Sequence, residues 1–174
     1  MISIELTQSL LLLILGVAVM WDLRSRKIPN WLTGSAVLLG LSLHTYANHL
    51  EGLIFSLEGM ALGLGLFLTL YGVGWMGAGD VKLYAAVGSF LGPFQTLSAA
   101  VLIALAGGVL AILTLGFHAG WRRAGVWTWN WAQTLFLTRS LNAADSTKHP
   151  TLKLPYAVAI SIGTVWSYWW SPLR

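Results

Sequence analysis

Six acidic side chains punctuate this chain of 174 residues, and two of them, Asp22 and Asp80, stand in local sequence suited to acid–base chemistry. Asp22 opens the run Asp22, Leu23, Arg24, Ser25, Arg26, Lys27, Ile28, Pro29, Asn30. Asp80 closes Gly77, Ala78, Gly79, Asp80 and is followed by Val81 and Lys82. Hydrolysis of an amide without a covalent intermediate needs a base to activate water and an acid to protonate the leaving nitrogen. Two carboxyl groups sharing one proton can supply both. Gly77 and Gly79 remove side-chain bulk beside Asp80, so an extended backbone can approach the carboxyl, and they permit conformations closed to other residues. The chain has no cysteine, which excludes a thiolate nucleophile, thiolate zinc sites and disulfides. His44, His49, His118 and His149 are scattered without ligand spacing, so no metal and no organic cofactor is expected.

The elements that hold these residues follow from composition. Hydrophobic residues make up 56% of the chain and charged residues 9%, against about 25% charged in soluble domains. Apolar runs recur along almost the whole length, so a cleaved signal peptide does not account for them. An all-α, polytopic membrane bundle in a single domain over residues 1–174 is expected. Crossing ~30 Å of hydrocarbon takes about 20 apolar residues. By that ruler the chain offers six spans, near residues 4–21, 31–47, 53–75, 81–91, 94–117 and 154–170. The fourth reaches only ~16 Å at 1.5 Å per residue. Either its helix extends back through Gly77 to Asp80, or Gly92 and Pro93 form a break at membrane depth, sheltered by neighbouring helices.

Orientation follows from the basic residues. With the amino terminus outside, Arg24, Arg26, Lys27, Lys82, Arg122, Arg123, Arg139, Lys148 and Lys153 share one side, which leaves Arg174 alone on the other. The excess of lysine and arginine marks the cytoplasmic side. Helix parity then puts Asp22, at the end of the first inward span, and Asp80, at the start of the fourth, on the same cytoplasmic face. A long loop near 119–152 carries Trp121, Trp127, Trp129 and Trp131 beside Arg122 and Arg123, a composition for the headgroup layer. The net charge of +4 does not point to nucleic acid, because the basic residues lie between apolar runs rather than in a stripe.

The other acids read more simply. Glu5, Glu51 and Asp145 fall near span ends or in loops, and Glu58 is solvated if the third span begins near Gly59. Gly59 and Gly63 form a small-residue pair suited to helix packing. Asp22 could merely pair with Arg24 or Arg26 at the interface. A proton- or ion-coupled transporter is the alternative from another class; it predicts acids near the midplane and inverted repeats, neither of which is evident. A non-enzymatic scaffold of a secretion complex leaves both aspartate motifs unexplained.

Taken together, Asp22, Arg24, Ile28, Pro29 and Asn30, followed by Gly77, Ala78, Gly79, Asp80, Val81 and Lys82, resemble the paired signature of the type IV prepilin peptidases, which are GxGD aspartyl proteases. The run from Lys153, Leu154, Pro155 and Tyr156 to Ile160 is similar to the family as well. The resemblance implies that Asp22 and Asp80 are the catalytic pair, with Gly77 and Gly79 shaping the approach to Asp80. Arg24, Pro29, Asn30 and Lys82 are motif positions for which a structural role is the favoured reading, topology anchoring for Arg24 and Lys82 and helix-boundary duty for Pro29 and Asn30. Longer relatives carry an amino-terminal extension with a four-cysteine domain and also methylate the product; this chain resembles the short form associated with tight-adherence, or Flp, pili. The implied substrate is a prepilin, with a basic leader in the cytoplasm and an apolar helix in the bilayer, cut after a glycine at the inner membrane. Other pilus or secretion proteins are implied partners.

Overall fold

A computed structural model describes residues 4–74, 76–119 and 156–169 of the chain. Four helices follow one another: α1 (Ile4–Ser25), α2 (Asn30–Gly72), α3 (Ala78–Ala119) and α4 (Tyr156–Trp169). No strand occurs among the described residues, as the composition leads one to expect. The loop near 119–152, with its tryptophans, Arg122, Arg123, Asp145 and His149, lies outside the described residues.

The chain divides into two compact units, Met1–Gly107 with Pro155–Arg174, and Gly108–Leu154. In the second unit the described residues continue α3, where Thr114 Oγ1 donates to the Leu110 carbonyl at 2.7 Å. In the first, α1 stops where Arg26 takes a positive φ of 50°. Pro29, at φ −69° and ψ 140°, then starts α2. Its carbonyl accepts the N–H groups of Leu32 and Thr33 at 3.2 and 3.4 Å. A proline suits this boundary because its fixed φ is compatible with helix and it has no N–H to leave unpaired.

Among the described residues, the spans expected from the sequence fall in four helices. Glu5–Ser25, Asn30–Gly72 and Ala78–Thr114 are long and apolar enough to cross a membrane. The described residues of α4, Tyr156–Trp169, fall within the expected sixth span. Expected spans two and three are fused in α2, and four and five in α3. Nothing between 47 and 53 stops a helix for more than two residues: Asn48 (φ −132°, ψ 20°) and His49 (φ 51°, ψ −128°) are non-helical, and helix resumes at once. In α3 the irregular residue is Gly92 (φ 72°, ψ 177°), and Pro93 falls where the next turn begins, a position that tolerates proline. The helix that carries the fourth expected span therefore starts at Ala78, before Asp80, and is interrupted at Gly92.

Contacts along α3 give the sense of each half of α2. Asn30 bonds Lys82, Gly40 packs on Ser89, and His44 bonds Phe90, so both numbers rise together. Beyond the break, Ser56 meets Ser89, Gly59 meets Gly88 and Gly63 meets Tyr84, so the numbers run oppositely. The two halves of α2 therefore run in opposite senses along α3. Gly52 allows the tight change of direction, since a Cβ there would collide with the His44 backbone carbonyl. Gly59 and Gly63 are indeed packing positions: a Cβ on Gly59 would collide with the Gly88 carbonyl, and one on Gly63 would lie 2.8 Å from the Tyr84 carbonyl oxygen. Glu58 is exposed on the same helix.

From Asp80 to Gly92, α3 is buried at every residue except Lys82, which makes this half the centre of the unit. Leu11, Leu15 and Ala18 of α1, Leu32 and Phe67 of α2, and Ala157 and Ile160 of α4 join it in one apolar core. Phe67 and Tyr84 stack with ring centroids 4.0 Å apart. The break at Gly92 interrupts the helical ladder, and side chains donate to carbonyls on both sides of it. Ser56 Oγ donates to the Ser89 carbonyl at 2.6 Å, and His44 Nε2 donates to the Phe90 carbonyl at 3.0 Å. Thr96 Oγ1 donates to the Gly92 carbonyl at 2.7 Å, and the Tyr84 hydroxyl donates to the Thr96 carbonyl. Pro93 has no N–H to offer the Ser89 carbonyl, so without Ser56 that carbonyl would cost up to several kcal/mol in an apolar surround.

Candidate active site

Asp80 lies in the first turn of α3, three residues after Gly77, which occupies the capping position. Its Oδ2 accepts the Gly77 N–H at 3.3 Å. The Asp80 and Val81 N–H groups in turn reach the Gly77 carbonyl at 3.1 and 3.3 Å. This is half of a capping box, in which an acid at the third helical position satisfies the N–H of the capping residue. Capping alone would leave such a carboxyl at the surface, yet Asp80 is only 9% exposed.

Asp22 sits in the last turn of α1 and is 7% exposed. Its Oδ2 accepts the Ala157 N–H at 3.2 Å. Ala157 is the second residue of α4, and the first N–H groups of a helix have no partner within it. Each aspartate thus closes the amino-terminal end of a helix, Asp80 that of its own α3 and Asp22 that of α4 across the fold. Two positive helix ends converge on the two carboxyls.

The carboxyl groups of Asp22 and Asp80 lie within electrostatic reach of each other. Tyr156, the half-buried first residue of α4, is within reach of Asp80. Arg26 is within electrostatic reach of Asp22. Arg24 is exposed in the last turn of α1, so the buried Asp22 is more than one end of a surface ion pair.

The two glycines act by their lack of bulk. A Cβ on Gly77 would lie 3.1 Å from Asp80 Oδ2, and one on Gly79 would lie 3.3 Å from Ile28 Cβ. Neither has a positive φ; among the described residues Gly74 and Gly92 are the glycines that do. Of the two properties that glycine offers beside Asp80, it is the small size that the packing at Gly77 and Gly79 uses.

The remaining motif residues lie in the connector and in the first turns of α2 and α3. Pro29 caps α2, and Asn30 is its first helical residue. Lys82 Nζ donates to Asn30 Oδ1 at 2.9 Å, which joins the two aspartate motifs directly. Ile28, buried in the connector, packs over Gly79. Sequence reasoning assigned no role to Tyr156 and Ala157. The signal available for them was Pro155, which marks a helix start whose free N–H groups need acceptors.

The arrangement offers two buried carboxyls, each oriented by one backbone N–H. A water between such groups can lose a proton to one carboxyl while the other donates a proton to a departing amine. A comparison with protein families matches residues 9–112, a range that includes Asp22 and Asp80, to the type IV leader peptidase family. Comparisons with curated proteins and with solved structures gave no match.

Proposed function

Because the chain belongs to the type IV leader peptidase family, we propose that it is an aspartic endopeptidase that removes the leader of Flp-like type IV prepilins through Asp22 and Asp80. One observation carries the reading: two buried aspartates from helices far apart in sequence come within electrostatic reach of each other, each held by a backbone N–H. One carboxyl activates water, and the other protonates the leaving nitrogen of the scissile amide. Gly77 and Gly79 leave room for the substrate backbone. Arg24, Pro29, Asn30 and Lys82 shape the site around it.

In this reading α2 and α3 each cross the bilayer twice, turning at Asn48 and His49 and at Gly92. The 43 residues of α2 rise ~65 Å, about twice the hydrocarbon thickness, which supports two crossings. With α1 and α4 the bundle has six crossings, the amino terminus outside and the site at the cytoplasmic face of the inner membrane. The charge bias supports that orientation. The prepilin leader stays in the cytoplasm while its apolar helix packs against the bundle, and the junction after a glycine unwinds to reach the carboxyls. Other pilus assembly proteins receive the product.

The test is leader removal from a co-expressed Flp-type prepilin. Asp22→Asn and Asp80→Asn are each expected to lower cleavage by about 100- to 10,000-fold, the range for loss of an acid or base. Normal processing by both variants would refute the assignment of the pair, and failure of the unmodified protein to cut any prepilin would refute the enzymatic reading.

A further inference from the structure

We propose that Lys82 and Asn30 form a clamp that sets the separation of the two aspartates, with Lys82 as a positioning residue. For its kinetic consequence the proposal rests on the peptidase reading above; its geometric consequence stands apart from it.

Lys82 is the one exposed residue between Asp80 and Gly92, and its ammonium group donates to Asn30 Oδ1 at 2.9 Å. Lys82 lies two residues beyond Asp80 on α3. Successive helical residues turn by about 100°, so Lys82 faces away from the core while Asp80 faces into it. Asn30 is the first residue of α2, reached from Asp22 through the short connector that contains Ile28 and Pro29. The connector touches the amino-terminal turn of α3 twice, where Ile28 packs over Gly79 and where Asn30 meets Lys82. The Arg26 N–H, bonded to the Asp22 carbonyl at 2.8 Å, ties the start of the same connector to the turn that carries Asp22. A force that separates Lys82 from Asn30 is therefore transmitted along the connector to Asp22. The clamp holds the end of α1 against the start of α3, and those two helix ends carry the carboxyls.

This role differs from the two other uses of an exposed lysine at this place. A topology charge would make Asn30 irrelevant, because asparagine carries no charge. A substrate contact would show in KM. The clamp predicts that Lys82→Met and Asn30→Ala each lower kcat for a synthetic prepilin segment by about tenfold to a hundredfold, with KM within about twofold. The double variant should be no slower than the slower single variant, because the two residues act as one unit. Lys82→Arg, which keeps a cationic donor, should stay within about threefold of the unmodified rate.

The spacing can also be read without any cleavage. The chain has no cysteine, so Asp22→Cys with Asp80→Cys creates the sole thiol pair. Disulfide formation under a copper–phenanthroline oxidant should slow by about fivefold or more when Lys82→Met is added, since a disulfide demands a narrow range of Cα separation. Thermal unfolding in the same detergent identifies any variant whose fold is lost, and Lys82→Gln then replaces Lys82→Met. An unchanged cross-linking rate overturns the clamp even if the protein cuts nothing. Additive losses, a rise in KM, or an unchanged kcat in a protein that does cut prepilin would overturn it while leaving the peptidase reading intact.

Discussion

Replacing Gly77 by alanine adds one methyl carbon that would sit 3.1 Å from Asp80 Oδ2, where ordinary contact begins near 3.4 Å. The backbone at Gly77 has no positive φ, so it accepts alanine without strain. The Gly77 N–H also survives the change, so the cap on α3 persists. The carboxyl must then yield by about 0.3 Å. A misplacement of about 1 Å costs about a hundredfold in rate, or ~2.7 kcal/mol. In proportion, this shift amounts to ~0.8 kcal/mol, or about fourfold. The assay is the initial rate of leader removal from a prepilin segment, with Gly65→Ala as control, because a Cβ on Gly65 meets nothing within 4 Å. The thermal midpoint of the Gly77 variant should match that of the unmodified protein. An unchanged rate would refute the argument that glycine serves here to leave space for the carboxyl. A loss as large as that of Asp80→Asn would refute it too, since it would mean that the site is dismantled rather than displaced.

Three further outcomes test the frame around the site. Gly59→Ala should destabilise the protein by ~1–3 kcal/mol in detergent unfolding, because its methyl collides with the Gly88 carbonyl, whereas Gly65→Ala should be neutral or stabilising by up to ~1 kcal/mol. Ser56→Ala removes a donor to the Ser89 carbonyl beside the Gly92 break, and the same unfolding assay should register a loss of ~1–3 kcal/mol. With membrane-impermeant maleimide, Lys27→Cys and Asn48→Cys should be labelled from opposite sides of the bilayer. Labelling of both from one side would refute a double crossing by α2.

The juxtaposition of Asp22 with Asp80 was legible because helix parity and the bias of basic residues both operate at the scale of whole spans. The break at Gly92 was legible for a local reason, since glycine followed by proline is a known interruption. The reversal between residues 47 and 53 was legible for the same reason as the spans, but its tightness was not, because only the packing of Gly52 on His44 lets helix resume directly after Asn48 and His49. Two partnerships at the site were also beyond reach: the N–H of Ala157 for Asp22, and the Asn30 side-chain Oδ1 for Lys82. Both join residues remote in sequence through atoms whose types carry no pattern, a backbone amide in one case and a polar surface side chain in the other. Family resemblance drew attention to these stretches without giving their partners.

The buried half of α3 is gripped at both ends. At the Gly92 end, Ser56 and His44 hold its last carbonyls; at the other, Gly77 and the connector close around Asp80. A rod fastened at both tips is a poor moving part. Asp22 belongs to a helix joined to the core through apolar side chains, a hydrogen bond from the Ala157 N–H of α4 and the short strap to α2. On the proposed reading Asp80 is therefore the fixed reference of the pair, and the strap, pinned where Asn30 meets Lys82, decides where Asp22 stands against it.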